Sequence, residues 1–486
     1  HALIEQAAYQ SLARSKRRDF HGQIGAALAE HFSEIATTQP EILAYHYMQA
    51  GDTEQSVRFW RQAGLRAAAA SANQEAVSHL TQALELLKHL PDSSWRVQEE
   101  LRLELALGTV EAALHGYAAA QVGDAYARAH ELSLRIPESP YLVRVLTGLA
   151  GHYVVRTELA LSRRLAEQAL AIAERSTDQT QLASANLLLG LSLTGLGNLA
   201  DAHPYLQRAV TLTGSPPLER RYITAAPDPG VVARVHYLDC LWLQGFPDQA
   251  LIQAGDAVRL AEQLSHPHSP VFAVGGAANV STLRGDFDSA EMLTRSLEQS
   301  AATYDFSYFS ALALLFAGWI AARRGAMTDA LEQMRAGVAA YRTAGSDTLA
   351  MAWLARFAEV LRRTGQVQES LTIISEALAQ VTDSGERYMD AELHRERGEA
   401  LLLASPDNGE VAEECFREAL RIARRQGAKS FELRAATSLA RAWARRGMIA
   451  EARQLVSTCY RWFTEGLTTA DLREAAALIQ MLDSAA

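Results

Sequence analysis

An all-α fold, a right-handed α-solenoid of about ten helical hairpins, follows from three observations on this 486-residue chain. Small residues recur at Ser162, Ala202, Ala250, Ala290, Ala330, Ser370, Ala412 and Ala452, with separations of 40, 48, 40, 40, 40, 42 and 40. A turn glycine stands five residues before most of them, at Gly197, Gly245, Gly285, Gly325, Gly365 and Gly447. Strand signals are absent, and 49% hydrophobic content with heavy alanine use suits closely packed helices.

Each unit reads as two helices joined at its glycine, as in Gly285-Asp286-Phe287-Asp288-Ser289-Ala290. Beyond the small residue, Leu206 and Ala209, Ala254 and Ala257, or Ile374 and Ala377 continue one helical face. Seven residues before the glycine come Gly190, Ala278, Gly318, Ala358 and Ala440, which let two helix backbones approach to about 8 to 10 Å.

These positions, with the large and small pairs Trp60/Gly64 and Leu189/Gly190, resemble the tetratricopeptide repeat. The period of 40 exceeds the usual repeat of about 34, so each helix should be about a turn longer. Similar long repeats occur in bacterial regulators related to the maltose activator. At the amino end, His1 to Leu12, Arg17, His21 and Ala26 to Glu30 resemble the last part of the winged-helix module of STAND-class signalling ATPases. Pro40 to Tyr47, Ala50 to Thr53, Gly116-Tyr117-Ala118, Trp462 to Gly466 and Asp471-Leu472 extend that resemblance. It implies a three-part layout: residues 1–50 end a winged-helix or helical linker module, 51–466 form the array, and 467–486 hold a capping helix. It also implies that the chain is a fragment whose upstream part holds an ATPase, with a cyclase further upstream as one form of output.

A formal net charge of -10 argues against a nucleic-acid surface, which needs a basic face. The short basic cluster Lys16-Arg17-Arg18 reads as a solvated turn between helices. The longest apolar run, Ala311 to Ala322, is shorter than the about 20 residues that span a bilayer and reads as a buried helix. Cys240, Cys415 and Cys459 form no C-x-x-C pair and suit small core positions in a reducing cytoplasm. The expected location is cytoplasmic, away from membranes.

Catalytic signatures fail on spacing or context. Gly427-Ala428-Lys429-Ser430 lacks the spacing of a phosphate-binding loop. Gly195-x-Gly197-x-x-Ala200 matches a dinucleotide fingerprint in letters, but it joins two helices where the fingerprint needs a strand-to-helix turn. His266-Pro267-His268 has no cysteine or acidic partner nearby and reads as a turn between repeats. We therefore expect no enzyme activity, cofactor or metal in this chain.

A binding surface remains. Stacked hairpins place their first helices on the concave wall. Counting back from each turn glycine puts Val235, Asp239 and Trp242, then Phe272, Asn279 and Thr282, then Leu315, Trp319 and Arg323 on that wall. Later repeats place Arg362, Arg363, Arg395, Arg434, Arg441 and Arg445 there. Two readings stay open: the arginines face an acidic peptide segment or small anionic effector, or they pair with Glu359, Glu392 and Glu399. The wide step between Ala202 and Ala250 contains Gly214 to Gly230, an excursion from which Arg220, Arg221, Tyr222 and Asp228 can reach over the groove. The expected partner is a protein or peptide, including an upstream ATPase domain of the same polypeptide; a scaffold without a small ligand is the alternative. Truncating Phe272 and Trp319 together should then abolish binding and leave helicity intact.

Overall fold

The computed structural model describes residues 9, 11–70, 72–214, 227–264, 268–304, 306–343 and 350–485. They hold 24 α-helices and no strand, an all-α array of antiparallel hairpins. Among the described residues the chain divides into two compact units, up to Leu149 and from Ala150 onward.

The first unit contains α1 (Arg14–His31), α2 (Ser33–Thr38), α3 (Pro40–Ala50), α4 (Thr53–Ala69), α5 (Asn73–Leu87), α6 (Ser94–His115) and α7 (Ala120–Leu134), with α8 (Leu142–Val155) beginning at its end. Lys16, Arg17 and Arg18 lie within α1, near its start, where a turn between helices was expected. Arg18 Nε there donates to the carbonyl of Ala50 at 3.2 Å, closing the end of α3. A left-handed Gly51, with φ at 79°, lets α3 reverse into α4. The buried Ser56 hydroxyl then donates to the Ala44 carbonyl twelve residues back, at 2.9 Å.

That serine lock recurs at the same register in the second unit, where Ser162 donates to Ala150 and Ser370 to Ala358, each at 2.8 Å. The second unit continues through α9 (Leu159–Ala173), α10 (Gln179–Gly195), α11 (Leu199–Leu212), α12 (Pro229–Leu243), α13 (Pro247–Glu262), α14 (His268–Arg284) and α15 (Phe287–Tyr304). Next come α16 (Ser307–Arg324), α17 (Met327–Thr343), α18 (Ala350–Arg363), α19 (Val367–Ser384), α20 (Asp390–Ala404), α21 (Gly409–Gln426), α22 (Lys429–Arg445), α23 (Ile449–Tyr460) and α24 (Ala470–Ala485).

The periodic small residues are where second helices meet first helices: all eight, from Ser162 to Ala452, are 0% exposed. Their partners across the hairpin need equal economy of volume. A Cβ on Gly318 would lie 2.9 Å from the backbone nitrogen of Met334, and one on Gly190 2.6 Å from Leu206. The six turn glycines all have positive φ, from 78° to 90°. Thr157 takes that place before Ser162 with φ at 59°, so a glycine search misses this hairpin.

Within the second unit, hairpins far apart in sequence also meet. Arg387 N donates to the Gly195 carbonyl at 2.7 Å. Glu465 accepts from the free N–H groups of Asp248 and Gln249 at the start of α13, at 2.9 and 3.1 Å, while Asp248 accepts from Gly466 N at 2.8 Å. Trp462 and Phe463 pack where a Cβ on Gly245 would fall. The segment carrying Arg220, Arg221 and Tyr222 lies outside the described residues, as do His266 and Pro267.

Candidate ligand site on the inner wall

The wall is built from the first helices α12, α14, α16 and α18, whose equivalent positions fall 40 residues apart. Asp239, Asn279, Trp319, Glu359 and Glu399 share one such row. Asn279 Nδ2 donates to Asp239 Oδ1 at 2.9 Å. Arg356 Nη2 donates to Asn279 Oδ1 at 2.8 Å, reaching from α18 past α16 to α14. Its guanidinium lies over the indoles of Trp353 and Trp319, 4.6 and 5.2 Å from the ring centroids.

Around this chain stand His236, Phe272, Tyr308 and Tyr388. His236 meets Phe272 edge-on at 5.8 Å, and Phe272 meets Phe309 at 6.2 Å. The Tyr388 hydroxyl, from the loop before α20, is buried without a hydrogen-bond partner. Asp239, Asn279, Arg356, Tyr308 and Tyr388 are each half-buried, on or beside the first helices.

Burial shapes the charges. It raises the Asp239 carboxyl to about 7 against the pull of Asn279 and Arg356. Burial and the nearby Arg434 lower the Arg356 guanidinium to about 10. Burial alone drops His236 to about 4, so that imidazole is neutral at pH 7. Tyr388 is held well above the usual phenol range by burial, then by Glu386 and Asp239.

Farther along, the wall changes character. Glu359, between Arg323 at 3.2 Å and Arg363 at 3.6 Å, also accepts from Trp319 Nε1 at 3.4 Å. Arg362 pairs with Glu396 at 3.1 Å. Arg395 pairs with Glu392 at 2.8 Å and also with Glu396. Arg434 joins Glu392 at 3.0 Å to Asp471 at 2.7 Å. Burial would raise Glu392, yet Arg395 and Arg434 hold it at about 2. Arg441 pairs with Glu474, while Arg445 is exposed. Of the two readings left open for these arginines, the geometry takes the pairing one for Arg362, Arg363, Arg395, Arg434 and Arg441.

Of the expected groove residues, then, the structure joins Asp239 to Asn279 directly, while Phe272 packs edge-on against His236 and Phe309. Trp319 is 3% exposed, part of the core and roofed by Arg323 and Arg356 rather than presented as an open anchor. Trp242, 4% exposed, stands apart: it packs edge-on against Phe431 beneath Arg434. Arg323, Arg362 and Arg363 are committed to glutamates. Asp228, expected to reach over the groove, instead caps α12 by accepting from Gly230 N at 2.9 Å. His236, Tyr308, Arg356 and Tyr388 were missed. The 40-residue row of His236, Gly276, Phe316, Arg356 and Glu396 held the signal for two of them.

Among the described residues no group of three or more His, Cys, Asp or Glu side chains gathers to hold a metal, and no helix is long and apolar enough to cross a membrane. No family model matches the chain. An uncharacterized protein of Rhizobium meliloti (strain 1021) is 24% identical over 447 residues, which cover 90% of this chain and 43% of the relative. The chain thus spans less than half the length of that relative. Among solved structures, the chain is similar to a Rap protein complexed with competence and sporulation factor, with TM-score 0.45 and 11% identity over 89% of this chain and 99% of that one. It is also similar to the apo quorum sensor NprR from B. thuringiensis, with TM-score 0.46 and 13% identity over 76% and 99%. For yeast Tom70 the TM-score is 0.33, with 13% identity over 97% of each chain.

Proposed function

We propose that the unit from Ala150 onward is a non-catalytic binding array that takes a peptide, partner protein or small effector on its inner wall. The observation that carries this reading is the Asp239–Asn279–Arg356 chain, which strings polar groups from three hairpins along a partly open internal surface. Buried polar groups cost stability unless they are paired. Nearby structural positions either pack apolar side chains, as Val235 and Leu315 do, or pair charge directly with charge, as Arg362 does with Glu396; Asp239 and Arg356 do neither. By its resemblance to the repeat region of STAND-class ATPases, the array acts as the sensor arm of a signalling protein: occupancy of the wall restrains or releases an ATPase domain of the same polypeptide, and the setting is cytoplasmic.

The test is thermal unfolding of the chain against panels of amino acids, short peptides, sugars and nucleotides. A ligand raising Tm in wild type and not in a folded Asn279→Ala variant supports the sensor reading. If no compound raises Tm, the small-effector form falls. If an identified protein partner also binds Asn279→Ala and wild type equally, the wall is not the site.

A further inference from the structure

Among the described residues, Arg323, Arg362, Arg395 and Arg434 on this wall each form an ion pair with a glutamate or aspartate. Arg356 is different. Among the described residues it forms no ion pair, and its one hydrogen bond goes to the neutral amide of Asn279. The guanidinium lies over the indoles of Trp319 and Trp353, and the N–H groups not bonded to Asn279 have the planar fork that matches a carboxylate in two parallel bonds.

Two neighbours are incomplete in complementary ways. The Tyr388 hydroxyl is buried without a partner, and its electrostatic neighbours include both Arg356 and Asp239. Asp239 uses one oxygen to accept from Asn279, and its second oxygen makes no hydrogen bond to a described residue. The cluster therefore has an N–H and O–H donor end and a carboxylate end.

Resting on the binding role proposed above, we infer that Asp239, Asn279, Arg356 and Tyr388 bind an α-carboxylate together with the N–H on its own α-carbon. A free amino acid and the C-terminal residue of a peptide share this group. The carboxylate lies against Arg356 and Tyr388, and the N–H points at Asp239.

The spacing fits. An amide separates its nitrogen and oxygen by about 2.3 Å, so Asn279 and its two hydrogen bonds hold Asp239 and Arg356 about 6 to 8 Å apart. An α-nitrogen and its carboxylate, with one hydrogen bond at each end, bridge about the same span. The charges agree: Asp239 is raised to about 7 and Arg356 lowered to about 10, as expected of two buried groups whose charges lack full compensation. A ligand with opposite polarity at its two ends supplies both.

Calorimetric titration of the full chain, with the proteinogenic amino acids, the matching alanyl dipeptides and the C-terminal amide of each, tests this. Free acids should bind at least about tenfold more tightly than their amides, and the arm that binds tells amino acid from peptide. Tyr388→Phe should weaken the best acid about tenfold while leaving Tm unchanged or higher, because the lost hydroxyl had no partner. A merely structural Tyr388 would lower Tm and leave affinity alone. Arg356→Lys should abolish binding; if that variant does not fold, Tyr388→Phe still decides. Amides binding as well as acids, or Tyr388→Phe binding unchanged, overturns the assignment. No acid binding overturns it too, and the binding role stands or falls separately on the Asn279→Ala comparison with other ligands.

Discussion

Two stretches of one wall, Asp239 to Arg356 and Glu359 to Arg434, occupy equivalent hairpin positions and handle buried charge in opposite ways. In the second, carboxylates and guanidiniums alternate, and Glu396 and Glu392 are 1% and 6% exposed within a ladder of partners. In the first, an amide stands between Asp239 and Arg356, and neither charge is neutralised by direct contact. The ladder joins hairpins together. The sparser stretch keeps charge that a ligand can satisfy, which is why arginine-rich and ligand-ready are different places here.

The largest effect tests the ladder. Glu392→Ala leaves Arg395 and Arg434 without their shared buried carboxylate and should cost about 3 to 5 kcal/mol in denaturant unfolding. Because Glu392 is held near 2, below its unfolded value near 4.5, its contribution is present above that unfolded value and is lost as pH falls toward 2. A loss under about 1 kcal/mol in the variant would mean the ladder is decorative.

Trp319→Ala comes next, at about 3 to 4 kcal/mol, because the side chain is core and carries two guanidiniums. This revises the expectation that truncating Phe272 and Trp319 tests binding alone. Helical content can persist, but a lost affinity would be confounded with lost stability. Phe272, only half-buried, is the cleaner single probe.

Asp239→Asn should act with the opposite sign, stabilising the chain by about 1 to 3 kcal/mol at pH 8. The wild-type carboxyl is raised to about 7, above its unfolded value near 3.8, amid Asn279, Arg356, Cys240, Tyr308 and Tyr388. The folded state therefore holds the extra proton. The Asp239 contribution is full below about pH 4 and declines as pH rises through 7, so the variant's advantage should shrink at pH 5. An equal advantage at both pH values would show that Asp239 carries no such strain.

Much of this fold was legible in the residues. The spacing of Ala202, Ala250, Ala290 and Ala330 located where the second helices α11, α13, α15 and α17 bury their small residues, because a period of 40 and a requirement for small volume leave a local trace. The polar site was legible by row only. Asp239 and Asn279 share the register that brings them together, but Arg356 sits one turn earlier and reaches past a hairpin. That reach depends on how tightly the hairpins coil, set partly at Gly276, where a Cβ would lie 2.9 Å from Val235. Tyr388 left no trace, since its loop docks near Gly195 through a contact between segments far apart in sequence. The choice between ligand-facing and paired arginines was likewise open until distances existed, because both use the same residue types at the same spacing.

The smallest effect examines the border between the two stretches. Arg323 and Glu359 form a pair whose arginine side chain is 31% exposed, and Glu359 keeps Arg363 and the Trp319 N–H when Arg323 is removed. Arg323→Gln should therefore cost only about 0.5 to 1 kcal/mol, part of it from the contact with the Trp319 ring. Salt screens a partly exposed pair, so unfolding at about 1 M salt should reduce the difference. The same salt should leave the Glu392→Ala penalty nearly unchanged, because a buried pair is screened much less. Equal salt sensitivity at the two positions would place both glutamates in the same environment and erase the boundary between the ladder and the ligand-ready stretch.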